Sequence, residues 1–357
     1  MPLITPWKTA YGSDDAVESV LVRMVSGGVE GWGESCPLGS PTYSPEYAAG
    51  VFNVVRDFMG PRILGRAIES GRQLQDRLGC FKGNPFARAA LDVAWWDLHA
   101  RREGQPLWRL IGGVSPSIDV GTALGVAQSV DKLIDNVRQA VDAGFKRVKL
   151  KYCPGWETSI VESVKQAFPK LVVHVDCNCA YTLDDLPMFE RLDQLGLAMI
   201  EQPLGYGDLV DHAELQRRIT TPICLDESIA SPRDAQQAIK LGSCRWINIK
   251  PARVGGLTEA LKIHDICQQA GVPCWVGSML ESGVGTSVLV ALGTLPNMKY
   301  PGDILPGDKL YERDLASPAI RLSDPARITA PAIPGIGCAP DPQQLTSMTT
   351  ERIVLEA

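Results

Sequence analysis

From about residue 117 the chain alternates short β-branched runs with amphipathic stretches, and this alternation narrows its fold more than any other feature. Each run with the stretch after it reads as one βα unit, and repeated βα units build a parallel sheet. The pattern predicts strands at "SIDVGTALG", "RVKLKY", "LVVHVDCN", "LAMIEQP", "PICLDES", "RWINIKP", "PCWVGS" and "MKYPGDI". Amphipathic stretches such as "TLDDLPMFERLDQLG" and "SPRDAQQAIKLG" fall between most of them. Eight such strands with crossover helices are best satisfied by closing into a TIM-type barrel.

Charged residues recur in step with these units. Lys151, Asp176, Glu201 and Asp226 follow one another at intervals of 25 residues, and Lys250 comes 24 later. Each stands at the carboxyl end of its strand, the end that forms the active-site face of a barrel. Side chains alternate between the two faces of a strand. If Val148 and Leu150 face the helices, Lys149 and Lys151 both face the barrel mouth, as do Asp176, Asn178, Glu201, Asp226, Asn248 and Lys250. Two ammonium groups buried alone in an apolar strand would be costly. Here they meet carboxylates.

Three carboxylates converging from neighbouring strands repel one another unless a cation stands between them. Hard oxygen ligands with no nearby His or Cys favour Mg²⁺, with Mn²⁺ as a substitute. Such an ion binds a substrate carboxylate and stabilises the charge that develops when the α-proton leaves. Lys151 and Lys250, from opposite sides of the barrel, are the expected acid/base pair, with Lys149 and the ion lowering a lysine pKa toward neutrality. Any one of these residues alone reads first as an ordinary strand-end ion pair. Five at a near-constant repeat with matching parity read as a site.

Other residues carry two readings each. Asn178 is a contact to the metal's water or a turn residue. Glu281 pairs with Lys250 or sits near it, or caps a helix N-terminus. The stretch from Thr5 to Ser13, with Tyr43, reads as cap loops that close over the pocket or as ordinary surface.

A net charge of −6 gives no nucleic-acid surface. No apolar run approaches the roughly 20 residues of a membrane span. "MPLITPWKTAYG" lacks the pattern of a signal peptide, so a cytoplasmic protein is expected. The ten cysteines are scattered singly, Cys177 and Cys179 apart, and read as reduced packing residues.

The amino-terminal zone mixes strand-like "ESVLVRMV" and "VEGWGES" with helical "PEYAAGVFNVVRDFM" and "NPFARAALDVAWWDLHARREG". From residue 311 the chain is Pro-rich, with a short strand candidate at "RIVLEA". In this order, "KLKYCPGW", "VDCNCAY", "IEQPL", "PICLDES", "NIKPARVGG" and "GSMLESGVG" resemble the enolase superfamily, more narrowly its o-succinylbenzoate synthase and N-succinylamino acid racemase branch. "FKGNPFARAALDVAWWDL", "VEGWGES", "SPTYSPEY" and "LPNMKYPGDI" extend the likeness over nearly the whole chain.

The resemblance implies an α/β fold. A modified TIM barrel, (β/α)₇β, would span residues 116–310. An α+β capping domain would form from residues 1–115, with the segment 311–357 returning to it. The resemblance assigns Asp176, Glu201 and Asp226 as Mg²⁺ ligands and Lys151 and Lys250 as the acid/base pair. Lys149, Asn178 and Tyr43 would support them, with Gly277, Ser278, Met279 and Glu281 from the loop expected to touch substrate. A dimer or octamer acting on a small-molecule carboxylate is implied.

The first implied activity is syn-dehydration of 2-succinyl-6-hydroxy-2,4-cyclohexadiene-1-carboxylate to 2-succinylbenzoate in menaquinone biosynthesis. Lys151 takes the proton α to a carboxylate, the ion holds the enediolate, and Lys250 acts as a cation while hydroxide leaves. The alternative is N-succinylamino acid racemase activity, or both. A muconate-type cycloisomerase stands behind them, and outside enzymes a catalytically dead scaffold barrel. The family pattern is broken at Ser278, Ala252 and the cysteines of "VDCNCAY", and the chain begins about a dozen residues into it. These departures bear on substrate choice and on the first strand of the cap, not on the five charged groups.

Overall fold

The computed structural model describes residues 1–156 and 158–356. The amino-terminal part opens with two antiparallel hairpins. β1 (Pro2–Thr9) pairs with β2 (Gly12–Ala16), and β3 (Val20–Ser26) with β4 (Val29–Ser35). The stretch Thr5–Ser13, expected as loop, is therefore mostly strand. Helix Pro85–Arg102 begins where Asn84 takes a left-handed conformation and Pro85 supplies a preset first residue. β4 lies backbone-to-backbone on this helix because two glycines let it. A Cβ on Gly31 would stand 2.3 Å from Leu98 N, and one on Gly33 2.4 Å from Ala90 O.

The predicted run "SIDVGTALG" splits in two. β5 (Ser117–Asp119) leaves the barrel to pair antiparallel with Arg327–Thr329. β6 (Thr122–Leu124), β7 (Arg147–Lys151), β8 (Val172–Asp176), β9 (Ile200–Glu201), β10 (Ile223–Leu225), β11 (Trp246–Ile249) and β12 (Cys274–Val276) form one parallel sheet, hydrogen-bonded in sequence order. Their outward residues, among them Val148, Leu150, Val173, Val175, Ile223 and Ile247, are buried in the core shared with the surrounding helices.

The eighth run, "MKYPGDI", does not form a strand. It makes isolated parallel bridges instead, Met298 to Cys274 on one side and Gly302 to Val120 on the other. Pro301 has no backbone N–H to give to a ladder, which is why the pairing is broken there. Those bridges still fill the eighth place, and the barrel is (β/α)₇β.

Glu34 joins the amino-terminal part to the barrel. Buried at the end of β4, it accepts from Ser282 Oγ at 2.6 Å and Gly285 N at 2.9 Å, at the start of helix Gly283–Gly293. The carboxyl-terminal stretch divides its contacts. Ile328, Ile336 and Cys338 pack into the barrel core, whereas Glu351 reaches Arg56 at 3.6 Å. Within "RIVLEA", Arg352–Glu356 forms no strand, and Ala357 lies outside the described residues. Among the described residues no helix is long and apolar enough to cross a membrane, and all ten cysteines are free.

Candidate active site

Strand register brings the charged residues to one end of the sheet. Lys151 on β7 stands beside Asp176 on β8, and Asp176 beside Glu201 on β9. Asp226 is set further along, because Glu201 is level with Cys224 rather than with Asp226. β7 and β11 are separated by three strands in the sheet. In a ring of eight places that puts Lys151 and Lys250 across from each other. Both line one small cavity, with Tyr43, Asn178, Ser278 and Met279. Trp7 and Tyr11 of the first hairpin roof it.

Each ammonium group is partnered by carboxylate. Lys151 Nζ donates to Asp176 Oδ2 at 2.8 Å and Asn178 Oδ1 at 2.7 Å. Lys149 Nζ lies 2.7 Å from Asp303, 3.2 Å from Asp176 and 3.4 Å from Glu201. Lys250 Nζ donates to Asp226 Oδ2 at 2.8 Å and to the Tyr43 hydroxyl at 3.0 Å, above the Tyr43 ring. Asp226 Oδ1 takes the Arg253 guanidinium and the Tyr43 hydroxyl.

Lys250 and Lys149 are both held above the usual lysine range. Burial favours the neutral amine at both, but surrounding groups outweigh it. Tyr43, Glu227 and Glu201 raise Lys250, and Asp303, Glu201 and Asp176 raise Lys149. Glu201 is the converse case: against burial, Lys149 and His174 hold its carboxyl well below the usual range. Burial and the Asp176 charge push Glu227 up to about 7.

Four partners were not foreseen. Glu227 follows Asp226, and strand alternation would turn it outward; the strand ends at Leu225, so alternation no longer applies. Arg253 comes from a single helical turn after β11, where strand parity says nothing. Asp303 and His174 were legible, the first in "PGDI" and the second by parity with Asp176. The expected absence of any nearby histidine is corrected by His174, whose Nε2 lies 3.3 Å from Glu201.

Supporting residues divide. Asn178 has the left-handed backbone of a turn residue, and its side chain accepts from Lys151 and donates to Glu227 at 3.0 Å. Gly277 leaves room for Asn248, whose Oδ1 a Cβ would approach to 2.4 Å; Asn248 in turn donates to Glu201 Oε1 at 2.7 Å. Glu281 makes no ion pair with Lys250 but sits near enough to feel its charge, and it accepts from Met279 N at 2.7 Å; the helix cap is Ser282. Burial lifts the Glu281 carboxyl to about 7.

Among the described residues, no three acidic, His or Cys side chains stand together as a ready metal cage. Asp226 is turned aside onto Lys250 and Arg253, while Lys149 stands between Asp176 and Glu201. The donor chemistry nevertheless fits a hard divalent cation. The set is all oxygen, and two buried carboxylate oxygens in it, Glu201 Oε2 and Glu227 Oε2, accept no hydrogen bond.

A (β/α)₇β barrel with acids and lysines on its strand ends, beneath an α+β cap, defines an enolase-like enzyme. Sequence comparison agrees. The profile "Enolase C-terminal domain-like" matches residues 132–344, and "Mandelate racemase / muconate lactonizing enzyme, N-terminal domain" matches residues 1–112. The chain belongs to the enolase superfamily, in its mandelate racemase / muconate lactonizing enzyme subgroup, whose members typically use a divalent metal.

Within that subgroup it is 42% identical over 350 residues to an o-succinylbenzoate synthase of Geobacillus kaustophilus, covering 98% of this chain and 93% of the relative. It is 41% identical over 354 residues to an N-succinylamino acid racemase of Amycolatopsis sp, covering 99% and 96%. A solved structure of an enolase superfamily member from Listeria innocua superposes with a TM-score of 0.95 at 38% identity, over 98% of this chain and 95% of that one. The protein is an enzyme near the branch that holds both activities.

Proposed function

We propose that the protein is an o-succinylbenzoate synthase of the cytoplasm, acting as a homo-oligomer. Lys151 takes the proton α to the ring carboxylate of 2-succinyl-6-hydroxy-2,4-cyclohexadiene-1-carboxylate. The C–O bond to the neighbouring hydroxyl then breaks, and Lys151 returns the proton to the departing oxygen, so that water leaves and the ring becomes aromatic. Lys250, across the cavity, remains an ammonium and faces the developing negative charge. Asp176, Glu201 and Asp226 would hold Mg²⁺ or Mn²⁺, which offsets charge on the substrate carboxylate. Asn178 keeps Lys151 in line, and Tyr43 and Asp226 keep Lys250.

The observation that carries this reading is the pair of lysines on opposed strands of one cavity. Charge supports it. Asp176, Glu201, Asp226 and Asp303 stand among Arg147, Lys149, Lys151, Lys250 and Arg253, with Glu227 titrating near neutrality. The side chains thus nearly cancel, and the two charges of a bound divalent ion would match a dicarboxylate. The same opposed lysines suit a racemase, and the 41% likeness to one favours that as the second reading.

The test is to offer purified protein with Mg²⁺ the cyclohexadiene substrate, and separately N-succinylamino acids in D₂O. Dehydration without α-deuterium exchange marks a dedicated synthase. Exchange together with dehydration marks both activities. Turnover of neither substrate contradicts the proposal.

A further inference from the structure

Beneath the mouth, His174 on β8 is wholly buried, one inward position below Asp176. Its Nδ1 lies 3.0 Å from the Tyr300 hydroxyl and its Nε2 3.3 Å from Glu201 Oε2. His174 Nε2 and Glu201 Oε2 are in ion-pair contact but fall short of hydrogen-bond alignment, and Lys149 Nζ lies 3.4 Å from the same oxygen. A buried imidazole nitrogen left without a hydrogen bond costs about 1–3 kcal/mol and calls for a reason. A packing role does not supply one, since Trp275 and Tyr300, edge-on at 5.5 Å each, would pack as well against an apolar ring.

We propose that Tyr300 and His174 are a positioning pair for Glu201, fixing the rotation of its carboxylate toward a divalent ion. A carboxylate only accepts, so the ring nitrogen next to Glu201, Nε2, carries the hydrogen, and Nδ1 accepts from the Tyr300 hydroxyl. Glu201 Oε1 is already tied to Asn248 Nδ2 at 2.7 Å. With His174 Nε2 in contact at Oε2, the carboxylate has a neighbour at each oxygen, which limits its rotation. His174 and Tyr300 do not line the cavity, so their role is to orient and not to react. This inference rests on the reading of Glu201 as a metal ligand.

Mn²⁺ binding to the metal-stripped full-length protein, followed by the electron paramagnetic resonance of free Mn²⁺, tests it, with thermal unfolding of the same samples recorded without metal. His174→Phe should weaken Mn²⁺ binding by about 10- to 100-fold, the usual effect of removing a group that orients a metal ligand. Tyr300→Phe, which deletes one oxygen, should weaken it less. His174→Gln, whose amide can still donate where Nε2 did, should recover most of the loss. Failure of the unaltered protein to bind Mn²⁺ would overturn the ligand reading and this inference with it. Normal binding by the unaltered protein together with undiminished binding by His174→Phe would overturn this inference alone. Should His174→Phe not fold, undiminished binding by Tyr300→Phe would overturn it equally.

Discussion

Lys151 is the side chain on which the proposed chemistry depends most directly. Its Nζ reaches the cavity while two of its hydrogens are used on Asp176 and Asn178. Lys151→Ala should lower kcat by about 10³-fold with a much smaller change in KM, because proton transfer in the transition state is lost while the carboxylate-binding groups remain. Steady-state rates of dehydration measure this. A loss of less than tenfold would assign the proton to another group. At this scale the sequence was most readable where strand geometry is regular. Parity and spacing put Lys149, Lys151, Asp176 and Glu201 together without coordinates. They failed at Glu227 and Arg253, which lie past strand ends where no period holds.

Elements are held in place by close approaches that depend on small residues and buried acids. The Cβ of Gly33→Ala would run into the backbone of helix Pro85–Arg102, which cannot yield as a flexible side chain does. The variant should lose about 2–3 kcal/mol of stability, seen as a lower urea midpoint. Asp92 in the same helix accepts from Thr258 N at 2.9 Å and from Gln75 at 3.0 Å, joining the amino-terminal part to helix Leu257–Ala270. Burial lifts its carboxyl to about 6 from an ordinary 3.8. With the folded value raised, its stabilising contribution is present below the unfolded pKa and lost as pH rises through about 6. Asp92→Asn does not titrate. The stability difference between variant and parent should therefore move in the variant's favour by roughly 2 kcal/mol between pH 4.5 and 7.5. Urea unfolding at both pH values checks it; a difference independent of pH would contradict it. Elements were also legible unevenly. The long amphipathic helices announced themselves, whereas Pro301 and Gly302 turned a predicted strand into two bridges, and the hairpin from Pro2 looked like loop because its residues are mostly exposed.

Across the whole molecule, the cavity of about 40 Å³ is the limiting quantity. That is room for about three water molecules. The β1–β2 hairpin roofs it with Trp7 and Tyr11 and is tied to the barrel by Val126 N donating to Lys8 O at 3.2 Å. Lifting of the hairpin is the expected route of substrate entry, because its two aromatic side chains line the cavity. Amide exchange at Val126 should slow when 2-succinylbenzoate is bound, since a filled site favours the closed roof. Unchanged exchange at saturating product would mean that the ligand enters by another route. The fold as a whole was readable because the βα repeat runs the length of the barrel. The closure of the roof was not, since it depends on contacts between distant segments that carry no local pattern.

The most direct test of the central claim is diffraction from crystals grown with Mn²⁺ and 2-succinylbenzoate, recorded for anomalous scattering. The account predicts one peak bonded to carboxylate oxygens of Asp176, Glu201 and Asp226, with Asp226 released from Lys250 and Arg253 and the product lying between Lys151 and Lys250. A peak held by other residues, or product bound with both lysines on the same side, would contradict it.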